Sequence, residues 1–402
     1  MNPVFDPFNP AFRANPYPFY DNLRLHDPVH VTPLGMVVLT RYEDVATTLK
    51  SADFSRDIEK HSNQASSPAR QRRRDQQRQR TKSILNLDPP DHTRLRRLVA
   101  KSFTPSAIER LRARIGELVS EALKTSQETG TLELIDDLAF PVPFQVISEL
   151  LAMPTERADE MRSWSQIITN SLEPTASDDD LAASDMAIDQ LVPYLTDIIE
   201  RRRRNLGDDM LSSLIMVEES GDQMSTDELM AFVVLLYIAG HETTVNLIGN
   251  ATLALLRNPE QLHSVREQGL TVQGIDELLR FDGPVQLTAR VPLVSTRYVV
   301  DGEERVIEPG TIVMTSLGGA NHDETMFPDP HHLDVGRQNS GRHLAFAAGI
   351  HYCLGASLAR LEAQETIGAL VRTFASIDLA GEPQWRDRLT IRGVSRLDLC
   401  VS

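Results

Sequence analysis

The sequence predicts a mainly α-helical protein with small β-sheets. Three observations carry that reading. Long stretches repeat apolar residues at spacings of three and four, the period of one helix face. Strand-like runs are few, short and bounded by turn residues. The longest apolar stretch, Met230 to Gly240, lies inside a helical pattern and falls short of the roughly 20 residues that cross a bilayer. It is expected to be a buried core helix.

Taken in order, the elements are these. Residues up to about Tyr20 are rich in Pro and Phe and are read as an extended surface arm. Val29-His-Val-Thr and Gly35-Met-Val-Val-Leu-Thr40 read as a hairpin, with Pro33-Leu-Gly as its turn. Helical patterns follow around 42–50, 91–102, 105–125, 144–151, 157–172, 180–205 and 227–256. The β-branched run Pro292–Val306 is broken by Asp301-Gly302 and reads as a second hairpin. A last helix begins after Cys353, where Leu354, Leu358, Leu361, Ile367, Leu370, Val371 and Phe374 form an apolar stripe. No repeat or linker divides the chain, so residues 1–402 are read as a single domain.

The composition bounds the function. Of 402 residues, 41 are Lys or Arg and 57 are Asp or Glu, a formal charge of -16. A field of that sign disfavours nucleic acid and anionic membranes as partners. Two cysteines, Cys353 and Cys400, give no disulfide framework and fit a reducing cytoplasm. The N-terminus shows no signal-peptide pattern, so a cytoplasmic, monomeric protein is expected. Arg201-Arg-Arg-Arg204 closes a helix pattern, where cations are favourable. The run from Arg70 to Lys82 has no apolar period and reads as a solvated loop, with a lid as the sharper alternative.

Four stretches carry chemistry. In Phe346-Ala-Ala-Gly-Ile-His-Tyr-Cys353-Leu-Gly355, one cysteine stands between two glycines just ahead of a helix. Gly349 and Gly355 permit tight turns, and a thiol near a helix N-terminus loses its proton more readily. A thiolate is the ligand that a soft metal or a haem iron takes. A lone cysteine is more often a buried small hydrophobe, but the spacing changes the odds. In Ala239-Gly-His-Glu-Thr-Thr244, Gly240 costs an apolar helix roughly 1 kcal/mol, and Glu242 and Thr243 bring a carboxylate and a hydroxyl into it. A kinked helix with back-bonded hydroxyls is the plainer account. Glu277-Leu-Leu-Arg280 places opposite charges three apart on one helix face. Asp88-Pro-Pro-Asp-His-Thr-Arg-Leu-Arg-Arg97 starts a helix on which His92 and Arg96 share a face and reach one anion. His351 with Cys353 supplies only two ligands, too few for zinc. No P-loop, dinucleotide fingerprint or nucleophile elbow occurs.

Together, in this order, these stretches resemble the cytochrome P450 superfamily of the bacterial soluble type. The resemblance runs from about Asp88 to Glu362. Ala347 departs from it, standing where the family usually has glycine. The resemblance implies the triangular, mainly helical P450 fold, with haem b (iron protoporphyrin IX) between the distal helix carrying Ala239 and Gly240 and the proximal helix after Cys353. Cys353 becomes the iron ligand, and Phe346, Gly349 and Gly355 shape its loop. His92, Arg96, Arg290 and His351 become haem-propionate partners. Thr243 hydrogen-bonds bound dioxygen, Glu242 belongs to the proton relay, and His241 has no role. Glu277 and Arg280 hold the scaffold of the cysteine loop. Their third partner stays open, because His332 stands where an arginine is often found.

The implied activity is a monooxygenase that hydroxylates or epoxidises a partly apolar small molecule. With no flavin or nicotinamide stretch, its electrons are expected from a ferredoxin and an NAD(P)H-dependent ferredoxin reductase. The rivals are a peroxide-using peroxygenase and a non-catalytic haem-thiolate sensor or recruitment protein. Retention of Glu242 and Thr243 argues against both.

Overall fold

The computed structural model describes residues 4–62, 81–216, 218–219 and 222–402. The chain forms two compact units: residues 1–62, 111–142 and 243–402, and residues 63–110 and 143–242. The Arg70–Lys82 run lies almost entirely outside the described residues.

The first unit is built on a five-stranded sheet ordered Val29–Val31, Val37–Leu39, Val313–Ser316, Leu287–Pro292, Phe54–Ser55. The first hairpin forms as read: Val29 opposes Leu39, and Gly35 takes φ +74° in the turn. Thr296–Val300 and Glu303–Ile307 form the second. Asp301 (φ 53°) and Gly302 (φ 82°) both occupy the left-handed region that a two-residue hairpin turn demands. Pro292 instead ends the strand before it, where its missing N–H costs least.

The N-terminal arm is not extended. It contains two helices, Pro10–Ala14 and Tyr17–His26, with prolines in their first turns. A proline there loses no hydrogen bond and presets φ, so the feature that suggested an arm starts helices instead. Phe5, Phe12 and Tyr20 are buried, packing edge to face at 5.3 and 5.5 Å.

The region read as one helix at 105–125 is two, Pro105–Glu109 and Arg112–Thr129. Gly130 (φ +72°) caps the second. The second unit packs Ala158–Asn170 against Asp178–Arg204. Ser177 and Asp180 form a reciprocal capping box at the start of the latter, and four arginines occupy its last turn.

The helix Thr226–Arg257 runs through both units. By length and composition alone it passes for a membrane span. Over half of its most apolar window, 56%, is buried inside the protein, as a core helix requires.

Candidate functional site

The cysteine loop folds by local bonds. Ala347 N–H donates to Leu344 O (2.8 Å), Tyr352 N–H to Gly349 O (3.1 Å) and Cys353 N–H to Phe346 O (3.0 Å). Gly349–His351 form a 3-10 turn, and Ala356–Thr373 follows with Gly355 at its N-cap. Cys353 is a half-buried thiol in no disulfide, two residues ahead of that cap.

The two glycines differ in what they do. Gly349 sits at φ +73°, and a Cβ there would lie 2.5 Å from Leu49 O. Only glycine lets the loop press onto the end of helix Tyr42–Lys50. Gly355 has φ -87° and nothing within 4 Å of a Cβ, so no backbone freedom is needed there. The strained position is Ala347, at φ 58°. An L side chain in that region costs roughly 1–2 kcal/mol.

The Glu277–Arg280 pair is fully buried and bidentate, at 2.7 and 2.8 Å. Its third partner is Arg337, whose Nε donates to Glu277 Oε1 (3.0 Å). His332 contributes only its carbonyl, to Arg280 (3.4 Å) and Arg337 (2.9 Å). Arg280 also donates to Asn321 O (2.9 Å) and Pro330 O (2.8 Å). The Asn321 side chain in turn accepts Leu344 N–H (2.7 Å). The ion cluster is thereby tied, through one asparagine, to the residue two before Phe346.

Arg290 lies in strand Leu287–Pro292, opposite Val313, and is 3% exposed. Its Nη1 donates to Ala289 O (2.8 Å) and Thr288 Oγ1 (3.2 Å). Thr243 is half-buried on the first-unit part of the long helix. Beside it, Thr244 hydrogen-bonds Glu362, a buried carboxyl on helix Ala356–Thr373. Burial pushes Glu362 up to about 8, against the opposing pull of Thr244, so it is a neutral acid at pH 7. Sequence reading missed this tie. Its signal was present: Glu362 interrupts an apolar stripe, four residues after Leu358 and five before Ile367.

In the second unit, His92 and Arg96 share the helix Asp91–Ala100. His92 is 2% exposed, and its pKa is lowered by burial and then by the Arg96 charge. Arg94, on the same helix, pairs with Glu228. Glu242 is 2% exposed, while Ala239, in the middle of the apolar helix, is exposed and Gly240 is half-buried. A Cβ on Gly240 would meet Ile147 at 3.3 Å. His241 is buried, with Nδ1 2.8 Å from Tyr237 O and its ring 4.9 Å from that of Tyr237. Burial lowers its pKa. These contacts make it part of the helix packing.

The donor chemistry fits haem. Among the described residues no group of three or more His, Cys, Asp or Glu side chains is arranged to hold a metal ion. A porphyrin brings four nitrogens of its own and asks the protein for one axial ligand, which a lone cysteine on a braced loop supplies. Buried cationic or potentially cationic side chains suit the two propionates.

A cytochrome P450 family model matches residues 28–389. Cytochrome P450 107B1 of Saccharopolyspora erythraea is 39% identical over 97% of this chain and 96% of its own. A vitamin D(3) 25-hydroxylase of Pseudonocardia autotrophica is 40% identical over 98% and 96%. Among solved structures, P450BioI in complex with hexadec-9Z-enoic acid ligated acyl carrier protein superposes with a TM-score of 0.87 at 34% identity, covering 98% of this chain and 99% of that one. On the matched sequence, the fold and the fit of its donors to haem b, the chain belongs to the cytochrome P450 family and is a haem-dependent monooxygenase acting on small organic molecules.

Proposed function

We propose that residues 1–402 work as one P450 domain in which Cys353 is the axial ligand to haem b. The family match, which runs through both units, supports this. Phe346, Gly349 and Gly355 would shape the ligand loop, and Ala239 and Gly240 would bind the cofactor from the long helix. His92, Arg96, Arg290 and His351 would hold the propionates. When bound, haem supplies the one-electron and dioxygen chemistry, with the thiolate favouring O–O cleavage.

The chain's own residues then control protons and position. Thr243 offers a half-buried hydroxyl that would donate a hydrogen bond beside the cofactor. Glu242, the adjacent buried carboxyl group, would relay protons to it. The Thr244–Glu362 bond fixes the helix next to that hydroxyl. Water is excluded by the apolar turns on either side, where Phe232, Val233, Leu247 and Ile248 are buried.

The observation that carries the reading is the braced loop with one thiol at its helix-side end. Cys353→Ser in the haem-loaded protein is expected to abolish the red-shifted Soret band of the reduced, carbon monoxide-treated form. A variant that keeps that band would defeat the assignment.

Substrates are proposed to be largely apolar carbon skeletons. Leu235, Leu236 and Ile238 are only partly buried, which gives the long helix an apolar face that water alone would penalise. The hydroxylase relative names a vitamin D3 substrate, and the solved neighbour holds a fatty acyl chain. Electrons are proposed to come from a ferredoxin and its reductase in the cytoplasm. A spectral screen of sterols and fatty acids, followed by turnover with ferredoxin, reductase and dioxygen, tests both statements. Turnover that needs peroxide and ignores ferredoxin would overturn the electron route.

A further inference from the structure

A charged pair outside the roles above grips the cysteine loop. Asp276 Oδ1 accepts Arg360 Nε (2.6 Å) and His343 Nε2 (3.2 Å). Ala345 N–H donates to His343 Nδ1 (3.1 Å), which fixes the tautomer: Nδ1 accepts and Nε2–H donates to Asp276. The imidazole is therefore neutral, and burial holds its pKa below the ordinary value. Burial also works against the Asp276 carboxylate. The bonds from His343 and Arg360 outweigh it and hold the Asp276 pKa low. The cluster thus carries one anion and one cation.

The cation is the member that touches the loop. Arg360 Cζ lies 4.7 Å from the centroid of the Phe346 ring, and Nη1 is 3.4 Å from the Tyr352 hydroxyl. His343 and Tyr352 flank the same ring at 5.4 and 6.2 Å. Phe346 is the residue whose carbonyl accepts Cys353 N–H, and Tyr352 immediately precedes Cys353. Asp276 stands behind Arg360, on helix Val272–Asp282.

We infer that Asp276 and Arg360 are positioning residues that present the positive end of an ion pair to the Cys353 loop and so set how strongly the sulfur donates to iron. A cation nearer than its counter-ion stabilises negative charge on the thiolate, weakens donation and favours the reduced metal. Salt screens the pair little, because it is largely buried: the side chains are 19% and 12% exposed.

The inference rests on Cys353 being the ligand. A red-shifted carbon monoxide spectrum is therefore required of each variant first; its loss in the parent would defeat the ligand assignment, not this one. The measurement is the one-electron reduction potential of the substrate-free, haem-loaded protein. Arg360→Gln is expected to shift the reduction equilibrium about tenfold toward the oxidised form, ~59 mV. Asp276→Asn, which removes the more distant charge, is expected to shift it toward the reduced form by a smaller factor, about threefold. Arg360→Lys keeps the charge and is expected within about twofold of the parent. Shifts of the same sign in both neutral variants, shifts below twofold in both, or a Lys variant that behaves like Gln would each overturn the inference. If a neutral variant does not take up haem, Asp276→Asn with Arg360→Gln restores local neutrality. That double variant removes the positive end together with its counter-ion and is expected to shift toward the oxidised form by less than Arg360→Gln does; no shift, or a shift toward the reduced form, overturns the inference.

Discussion

Replacing Arg337 with Met tests how the cysteine loop is supported. Arg337 donates to Glu277 Oε1 (3.0 Å), Pro328 O (2.7 Å), Asp329 O (3.1 Å) and His332 O (2.9 Å). Met keeps the length of the stem and removes all four bonds. Glu277 would still be held by Arg280 and by Asp334 N–H (3.1 Å), so its charge stays compensated. Breaking a buried ion pair costs roughly 3–5 kcal/mol, and the compensation places this loss near the low end, ~3 kcal/mol. Unfolding entropy near 2.1 cal/mol/K per residue makes ~3 kcal/mol worth about 4 °C in a chain of this length. Arg280→Met strips both bidentate bonds from Glu277 and is expected to cost more, ~5 kcal/mol. Calorimetry of the haem-loaded protein, with the carbon monoxide spectrum followed on heating, reads both losses. A midpoint within 1 °C of the parent for Arg337→Met would refute the claim that the triad, rather than the pair, is the support.

Ala347→Gly removes left-handed strain of roughly 1–2 kcal/mol at the price of a more flexible unfolded chain, so a net gain of ~0.5–1 kcal/mol in thermal stability is expected; a loss would mean that the Ala347 methyl packs usefully. Gly349→Ala, which drives a Cβ against Leu49 O, is expected to lower haem content in the purified protein, and full loading would contradict the close approach. Glu362 keeps its proton to about pH 8 when folded but loses it near 4.5 when unfolded, so its contribution is fully present below pH 4.5 and declines as pH rises to 8. Glu362→Gln should flatten that slope, worth at most roughly 5 kcal/mol, in denaturation series across that range. Thr243→Ala is expected to load haem normally yet divert electrons to peroxide, and coupled product formation at the parent level would remove Thr243 from the proton path.

Much of the molecule was legible because its signals are contiguous. The cysteine loop, the Asp301-Gly302 turn and the helix starting at Asp91 each occupy under a dozen residues, and their physics is local. Phe-x-x-Gly-x-x-x-Cys even marked the hydrogen bond between Phe346 and Cys353. What escaped was long-range or ambiguous. Nothing near Arg337 points to Glu277, sixty residues away. Asp276, next to Glu277, was passed over because a surface carboxylate and a buried one look alike in sequence. Pro10, Pro16 and Pro18 fit an extended arm and a helix start equally well, and the structure uses them to start helices.

Three buried carboxyl groups lie on the helices that support the cysteine loop and the long helix, and each is kept by a different device. Glu277 is shared between two arginines. Asp276 is ionised and shared between an arginine and a neutral histidine. Glu362 stays protonated and, among the described residues, has Thr244 as its hydrogen-bond partner. Acid and alkali should therefore loosen different parts of the scaffold. Because the folded pKa of Asp276 is depressed, its contribution is present above the ordinary carboxylate range and is lost as pH falls through the lowered value. The Glu362 tie behaves in the opposite sense and weakens toward pH 8. Acid should first release the grip on Phe346, changing the thiolate spectrum while the long helix stays docked. Alkali should first free that helix next to Thr243, raising wasted oxygen consumption while the thiolate spectrum persists. One protein followed by both readouts across pH would separate the two supports, because a single global loosening would move them together.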